Sequence, residues 1–234
     1  GKTVLLNRVR ELAEERRIRT ALLEAHEEKP LAALLLPELR RIALELDRLG
    51  SVSEAMRRAK GVFRAFIRGI KFRVEGLEVG IDVPPETGTA DSGDIEADLP
   101  ALFDAIGRAA QDRGTAVALI LDEIQYLEPK ELSALVMALH RTAQSGLPWV
   151  LVGAGLPQLI GKIGDSKSYA ERLFDFPEIG ELPADEARRA LAEPAREQGV
   201  LYEPAALDEI VRVTRGYPFF LQEWGYQAWN AGAD

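Results

Sequence analysis

Residues 115–127 read Thr-Ala-Val-Ala-Leu-Ile-Leu-Asp-Glu-Ile-Gln-Tyr-Leu, an apolar run that ends abruptly in two adjacent carboxylates. The run from Ala116 to Leu121 is too short to span a membrane, and its continuous hydrophobicity is typical of a strand buried on both faces of a parallel sheet. Ligands of open α/β sheets bind at the carboxyl ends of the strands, so Asp122 and Glu123 are predicted to face a site. A strand that simply stops where two solvated acids begin a loop explains the same residues, and the pattern alone leaves both interpretations open.

The chain begins with Gly1-Lys2-Thr3, followed by a segment in which Leu5, Val9 and Leu12 recur at helical spacing. The tripeptide matches the last three positions of the phosphate-binding loop G-x-x-x-x-G-K-[ST], which opens a helix. Alone it is usually a chance match. Its combination with an acid-tipped strand downstream, and with alternating α and β patterns between the two, indicates a nucleotide-binding domain that lacks its first strand and most of the loop.

Composition sets bounds on the class of protein. With 234 residues and 47% hydrophobic content, the chain can form one α/β domain and a small appendage. The absence of cysteine excludes a disulfide framework and thiolate metal sites, and it favours a reducing compartment such as the cytoplasm. The net charge of −9 argues against a surface that broadly coats nucleic acid, and no segment is long enough to span a membrane.

The remaining periodicities predict an α/β domain over residues 1–182, with 30–93 as an insertion-like part, and a helical lid over 183–234. Predicted strands cover residues 19–26, a buried 149–152 and a short 176–182, with a looser ribbon over 72–83. Predicted helices cover 30–49, a run from the N-cap Ser53, 94–114, a run from Glu128, 185–198, 204–215 and a run from Pro218.

Two segments allow more than one interpretation. Residues 57–73 interleave seven basic residues with Phe63, Phe66 and Phe72, which suits either a helix that meets nucleic acid or an acidic partner, or an ordinary solvated face over an apolar seam. The second interpretation is favoured. Arg172 precedes the predicted strand 176–182, where its guanidinium could reach a γ-phosphate or could equally pair with a neighbouring carboxylate.

The glycines of Gly153-Ala-Gly155 follow a predicted strand and superficially match a dinucleotide fingerprint. Gln158 occupies the position of the third glycine, so this interpretation is rejected. The glycines instead predict a tight strand-to-helix turn close to the phosphates. They also supply no polar side chain at this turn.

Together these motifs resemble the AAA+ and STAND-type P-loop ATPases, especially the bacterial and archaeal branch related to replication-initiator ATPases. The resemblance rests on Gly1-Lys2-Thr3 as the end of Walker A, Leu119-Ile-Leu-Asp-Glu-Ile-Gln125 as Walker B, Glu171-Arg-Leu-Phe174, and Gly216-Tyr-Pro-Phe-Phe-Leu-Gln222. It implies a three-layer P-loop sheet with a helical lid, and ATP and Mg²⁺ as cofactors. The implied nucleotide-binding residues are Gly1, Lys2, Thr3, Gly216 and Pro218, with Lys2 on the β- and γ-phosphates. The implied Mg²⁺ residues are Thr3 and Asp122, the catalytic base is Glu123, and Arg172 is the arginine sensor or finger.

The function predicted first is an NTPase that converts ATP to ADP and phosphate and acts as a conformational switch. The polar sensor that AAA+ proteins often carry after the fourth strand is absent at Gly153-Ala-Gly155, which predicts slow hydrolysis, and an incomplete phosphate loop predicts weak nucleotide binding. Two alternatives stay open: a nucleic-acid-binding initiator or regulator that uses the domain as a scaffold, and a nucleotide-binding interaction protein without turnover. Expected partners are ATP and ADP, a protein partner or a second copy, and DNA through a further module, but no membrane.

Overall fold

In a computed structural model of the protein, which describes residues 1–50, 53–70, 82–157 and 173–232, three parallel strands are flanked by helices. A first compact unit, Lys2–Phe176, contains the sheet. Its elements are α1 (Lys2–Glu15), β1 (Arg19–Glu24), α2 (Leu31–Arg48), α3 (Glu54–Gly69), α4 (Ile95–Asp112), β2 (Val117–Asp122), α5 (Pro129–Gln144) and β3 (Trp149–Gly153). The α/β fold class with a parallel sheet, predicted from the sequence, is confirmed.

Strand β2 lies between β1 and β3, and all six of its residues are buried. This agrees with the continuous apolar run, because a central strand covered on both faces has no solvated side that would call for alternate polar residues. Strand β3 was expected to be buried as well, and that prediction is wrong. Val150 is 46% exposed, because β3 lies at the edge of the sheet in the described part of the chain.

Helices α2, α3, α4 and α5 share one hydrophobic core with the sheet. Phe63 and Phe66 of α3 and Phe103 of α4 are its largest fully buried side chains. The Phe103 and Trp149 rings stack with centroids 4.3 Å apart, and the Trp149 indole N–H donates a 3.0 Å hydrogen bond to the Phe103 carbonyl. Gly107 makes room for this arrangement, since a Cβ there would lie 2.7 Å from the indole nitrogen. The start of β3 is therefore fixed against α4.

The predicted N-cap of one helix is confirmed, and a second helix has an N-cap that was not predicted. The Ser53 hydroxyl accepts a hydrogen bond from the Met56 N–H at the start of α3, and the Asp94 carboxylate accepts one from the Glu96 N–H at the start of α4. Most of the predicted ribbon over 72–83 falls outside the described residues. None of the described helices is long and apolar enough to cross a membrane.

Asp98 joins the loop before α4 to that helix. Its side chain is only 4% exposed, and its carboxylate accepts hydrogen bonds from the Ser92 hydroxyl at 2.8 Å and the Gly93 N–H at 2.8 Å. We expect Asp98→Ala to lower the free energy of unfolding by about 1–3 kcal/mol, because the hydrogen bonds from Ser92 and Gly93 to this buried carboxylate are lost. Urea unfolding measures this, with the exposed Asp112→Ala on the same helix as the control. Equal effects of the two variants would contradict the prediction.

A second compact unit, Pro177–Asp234, is helical. Its helices are α6 (Ala184–Glu197), α7 (Pro204–Thr214) and α8 (Pro218–Ala231). Its core is small and consists of Ala187, Leu191, Ile210 and Leu221. The three helices predicted from the sequence are thus confirmed.

The predicted strand over residues 176–182 is wrong, since these residues form no strand in the structure. Pro177 has no N–H for a strand ladder, and residues 177–181 are exposed, so the segment has no buried face. The segment instead leads into the helical unit. At its end, the Leu182 N–H donates a 2.9 Å hydrogen bond to the Gly216 carbonyl.

Candidate functional site

The carboxyl ends of the three described strands bring polar groups to one edge of the sheet. In the register of the parallel strands Glu24 lies beside Asp122, and Leu121 lies beside Gly153. Asp122 is 6% exposed, although it ends an otherwise apolar strand. An acid buried at this edge is positioned where ligands of open α/β sheets bind.

The first turn of α1 lies at the same edge. The Thr3 hydroxyl donates a 2.7 Å hydrogen bond to Oδ2 of Asp122, across 119 residues of sequence. The Lys2 ammonium donates a 3.2 Å hydrogen bond to the carbonyl of Gly155, just beyond β3. Helix α1 packs against β1 and β2, which holds both side chains at the strand ends. The structure therefore brings Lys2, Thr3 and Asp122 together, while Gly1 is exposed in front of α1.

The donor set suits a magnesium ion that is bound together with a nucleotide. Thr3 and Asp122 offer a hydroxyl and a carboxylate side by side, and the Asp122 carboxylate is oriented by the Glu123 N–H, which donates to Oδ1 at 2.9 Å. No cluster of three or more His, Cys, Asp or Glu in the described residues could hold a metal by itself. Mg²⁺ commonly takes one or two protein oxygens and completes its shell with water and phosphate oxygens. The residues present fit that mode.

Glu123 has an unusual backbone conformation. Its φ of 55° and ψ of 37° lie in the left-handed region, directly before a 3₁₀ turn, Ile124–Tyr126. Such a conformation costs about 1–3 kcal/mol for a residue other than glycine, and it is found disproportionately at functional sites. The Glu123 side chain lines a polar cavity of about 720 Å³, together with residues that follow β1, among them His26 and Glu27. The acid is thus accessible, whereas its neighbour Asp122 is buried.

The turn after β3 packs directly against the Glu123 segment. The Ala154 N–H donates to the Leu121 carbonyl at 2.9 Å, and the Ile124 N–H donates to the Ala154 carbonyl at 3.0 Å. Gly153 permits this close approach, because a Cβ there would lie 2.1 Å from Cδ1 of Ile124. The helix expected after this turn falls outside the described residues.

A family model described as an AAA domain matches residues 1–159, which include the Lys2, Thr3, Asp122 and Glu123 site. The chain belongs to the AAA domain family. An AAA domain is a nucleotide-binding ATPase module of the P-loop type, so the predicted resemblance is confirmed at that level. The assignment to the STAND or replication-initiator branch stays a prediction. Searches of curated proteins and of solved structures gave no match.

Three predicted site residues lie outside the matched part of the AAA domain protein. Arg172 falls outside the described residues. Gly216 and Pro218 lie in the helical unit, where Gly216 has a φ of 76° two residues after the end of α7 and Pro218 is the first residue of α8. Pro218 also lines an apolar cavity of about 510 Å³ in that unit, beside Leu221 and Tyr202. Burial raises the pKa of the Tyr202 phenol. Proximity of Gly216 and Pro218 to a nucleotide stays a prediction.

Three of the five basic residues of α3 are engaged within the first unit. Arg58 forms an ion pair with Glu86 at 3.4 Å, Lys60 pairs with Asp47, and an Arg64 guanidinium N–H donates to the Val83 carbonyl at 2.7 Å. The aromatic residues Phe63 and Phe66 are buried and cannot stack on bases. These contacts favour the interpretation of a solvated face over an apolar seam.

One polar residue at the site received no role from sequence reasoning. Gln125 is 6% exposed and its side-chain amide donates to Oε2 of Glu123, while its carbonyl oxygen accepts a 3.1 Å hydrogen bond from the Leu156 N–H. The sequence does indicate that Gln125 has a buried partner. This glutamine stands two residues after the second acid, between apolar residues, and a polar side chain in such a segment must find hydrogen-bond partners inside the protein.

Proposed function

We propose that this AAA domain binds ATP with Mg²⁺ and hydrolyses it to ADP and phosphate. The observation that carries the proposal is the 2.7 Å contact between the Thr3 hydroxyl and the Asp122 carboxylate, with Glu123 next in the chain. It joins the helix N-terminus that suits phosphates to the acid pair at the sheet edge. Random placement of a Gly-Lys-Thr tripeptide would not produce this convergence.

Each residue has a distinct role in the proposed reaction. Lys2, at the N-terminus of α1, would bind the β- and γ-phosphates, with Gly1 contributing to the phosphate loop. Thr3 and Asp122 would hold Mg²⁺, which would neutralise negative charge on the phosphate oxygens. Glu123 would accept a hydrogen bond from the attacking water and thereby polarise that water. Arg172 is the candidate guanidinium for the transferred γ-phosphoryl group.

The domain is proposed to act as a conformational switch. Gly153, Ala154 and Gly155 carry no side-chain donor after β3, so one group that could stabilise the γ-phosphate is absent from this turn. Slow hydrolysis would leave the ATP state long-lived. ATP contacts with Gly216 and Pro218 in the helical unit would then distinguish the ATP state from the ADP state and alter a surface for a partner.

The first test is the loss of nucleotide binding in Lys2→Ala. We expect its Kd for Mg²⁺-ATP to rise by about 10- to 100-fold, since removing a charge-assisted contact to phosphate costs about 1.5–3 kcal/mol. Calorimetric titration of the full-length protein measures this. Lys130→Ala is the matched control, because Lys130 is an exposed lysine of the same unit that pairs with Asp94 at 2.9 Å. Equal affinities of the two variants would remove Lys2 from the site.

A nucleotide-binding protein without turnover is the second candidate, and the missing donors after β3 favour it. Phosphate release, assayed on the samples used for calorimetry, separates the two functions. Tight Mg²⁺-ATP binding with no release of phosphate would establish the non-hydrolysing form. Release that stops in Glu123→Gln would establish the ATPase.

A further inference from the structure

We propose that Gln125 is a positioning residue that holds the Glu123 carboxylate in place for water activation and is itself anchored on the turn after β3. The inference rests on the proposed function of Glu123. It assigns a role to a buried side chain that neither binds phosphate nor lies in the core of the sheet. The positioning acts through hydrogen bonds at both ends of one amide group.

Two hydrogen bonds of Gln125 to described residues determine the orientation of its amide. The Leu156 N–H can only donate, so the group that it meets at 3.1 Å must be the carbonyl oxygen, Oε1. The amide nitrogen, Nε2, is then directed at Oε2 of Glu123, which as an ionised carboxylate can only accept. Neither partner tolerates a flipped amide. Gln125 therefore presents a donor to Glu123 in one defined direction.

The anchor at Leu156 is itself tied to β2. Main-chain hydrogen bonds run from the Ala154 N–H to the Leu121 carbonyl and from the Ile124 N–H to the Ala154 carbonyl. The turn after β3 is thus fixed on both sides of the Asp122-Glu123 pair. A contact through Gln125 extends this support from the main chain to the Glu123 carboxylate.

Glu123 needs such support because it is partly exposed and has three rotatable side-chain bonds. Its left-handed backbone aims the side chain towards the polar cavity, but the backbone alone does not fix the carboxylate. A displacement of about 1 Å in a catalytic group can lower a rate about 100-fold. In the same turn, the Gly155 carbonyl accepts a 3.2 Å hydrogen bond from the Lys2 ammonium. The turn after β3 therefore contacts both Lys2 and, through Gln125, Glu123.

Two substitutions of Gln125 separate the hydrogen bond to Glu123 from the hydrogen bond to Leu156. Gln125→Leu keeps the volume but removes both, whereas Gln125→Glu keeps an acceptor for the Leu156 N–H and replaces the donor with a carboxylate that repels Glu123 at pH 8. We expect both variants to lower kcat about 10- to 100-fold while the Kd for Mg²⁺-ATP changes less than about threefold. Gln111→Leu, which alters an exposed glutamine of α4, is the matched control and should keep wild-type turnover.

The decisive experiment is a double-mutant cycle with Glu123→Gln, measured as single-turnover phosphate release. If Gln125 acts through Glu123, Gln125→Leu has no further effect on the rate in the Glu123→Gln background. An independent readout is hydrogen exchange of the Leu156 amide, which should become at least about tenfold faster in Gln125→Leu and stay slow in Gln125→Glu. A merely structural role would instead raise the Kd and lower the rate by the same factor in both backgrounds.

The outcomes distinguish this inference from the proposed function. If Glu123→Gln stops turnover but Gln125→Glu hydrolyses ATP like the wild type, the positioning role is overturned and the ATPase stands. Additive effects in the cycle overturn it too. If Glu123→Gln turns over like the wild type, the base lies elsewhere, so the positioning role is overturned while the ATPase stands. If the wild-type protein releases no phosphate, the ATPase proposal fails and the positioning role fails with it.

Discussion

Glu123→Gln is expected to lower kcat for ATP hydrolysis by about 10²–10⁴-fold, the usual contribution of a positioned general base. An amide has the shape of the carboxylate but cannot accept a proton from the attacking water. The contact from Gln125 is preserved, because the introduced amide oxygen can still accept from Nε2. We therefore expect the Kd for Mg²⁺-ATP to stay within about threefold of the wild-type value.

The measurement pairs single-turnover phosphate release with calorimetric titration. Glu11→Gln is the matched control, because it makes the same change of net charge at an exposed residue of α1 whose wild-type side chain pairs with Arg8 at 2.9 Å. The control should hydrolyse ATP at the wild-type rate. A Glu123→Gln protein that retains turnover would assign the base elsewhere. A variant that loses ATP binding together with turnover would instead place Glu123 in nucleotide binding.

Much of the first unit was predictable because local patterns there agree with the tertiary structure. The apolar run of β2 could only be satisfied by burial on both faces, and the helices on either side carry regular apolar spacing. The contact of Thr3 with Asp122 follows from the same logic. Both residues belong to motifs that converge on the carboxyl edge of a parallel sheet, whatever the length of chain between them.

The parts that could not be predicted depend on contacts between segments distant in sequence. The exposure of Val150 depends on which strands lie beside β3. The strand-like pattern over 176–182 was not sufficient to form a strand without a partner strand. The role of Gln125 depends on the left-handed backbone of Glu123 and on the approach of Ile124 to Gly153. No local propensity encodes that approach, so the residue could be noted in the sequence but not assigned a partner.

Gly216→Ala is expected to lower the free energy of unfolding of the helical unit by about 2–4 kcal/mol. Two effects add. The φ of 76° is strained for any residue with a Cβ, and that Cβ would lie 2.2 Å from the main-chain carbonyl oxygen of Leu182. The backbone must shift to relieve the contact, which endangers the 2.9 Å hydrogen bond from the Leu182 N–H to the Gly216 carbonyl. The pair of residues links the start of the unit to the turn between α7 and α8.

Gly199→Ala separates the two effects. Gly199 lies in the same unit with a φ of 77°, but a Cβ there would meet nothing within 4 Å. This variant should lose only the conformational part, about 1–2 kcal/mol. Hydrogen exchange of the amides in α6, α7 and α8 reports the free energy of opening of this unit without interference from the sheet. Equal losses in the two variants would mean that Leu182 moves aside at no cost, and that the close approach does not stabilise the turn.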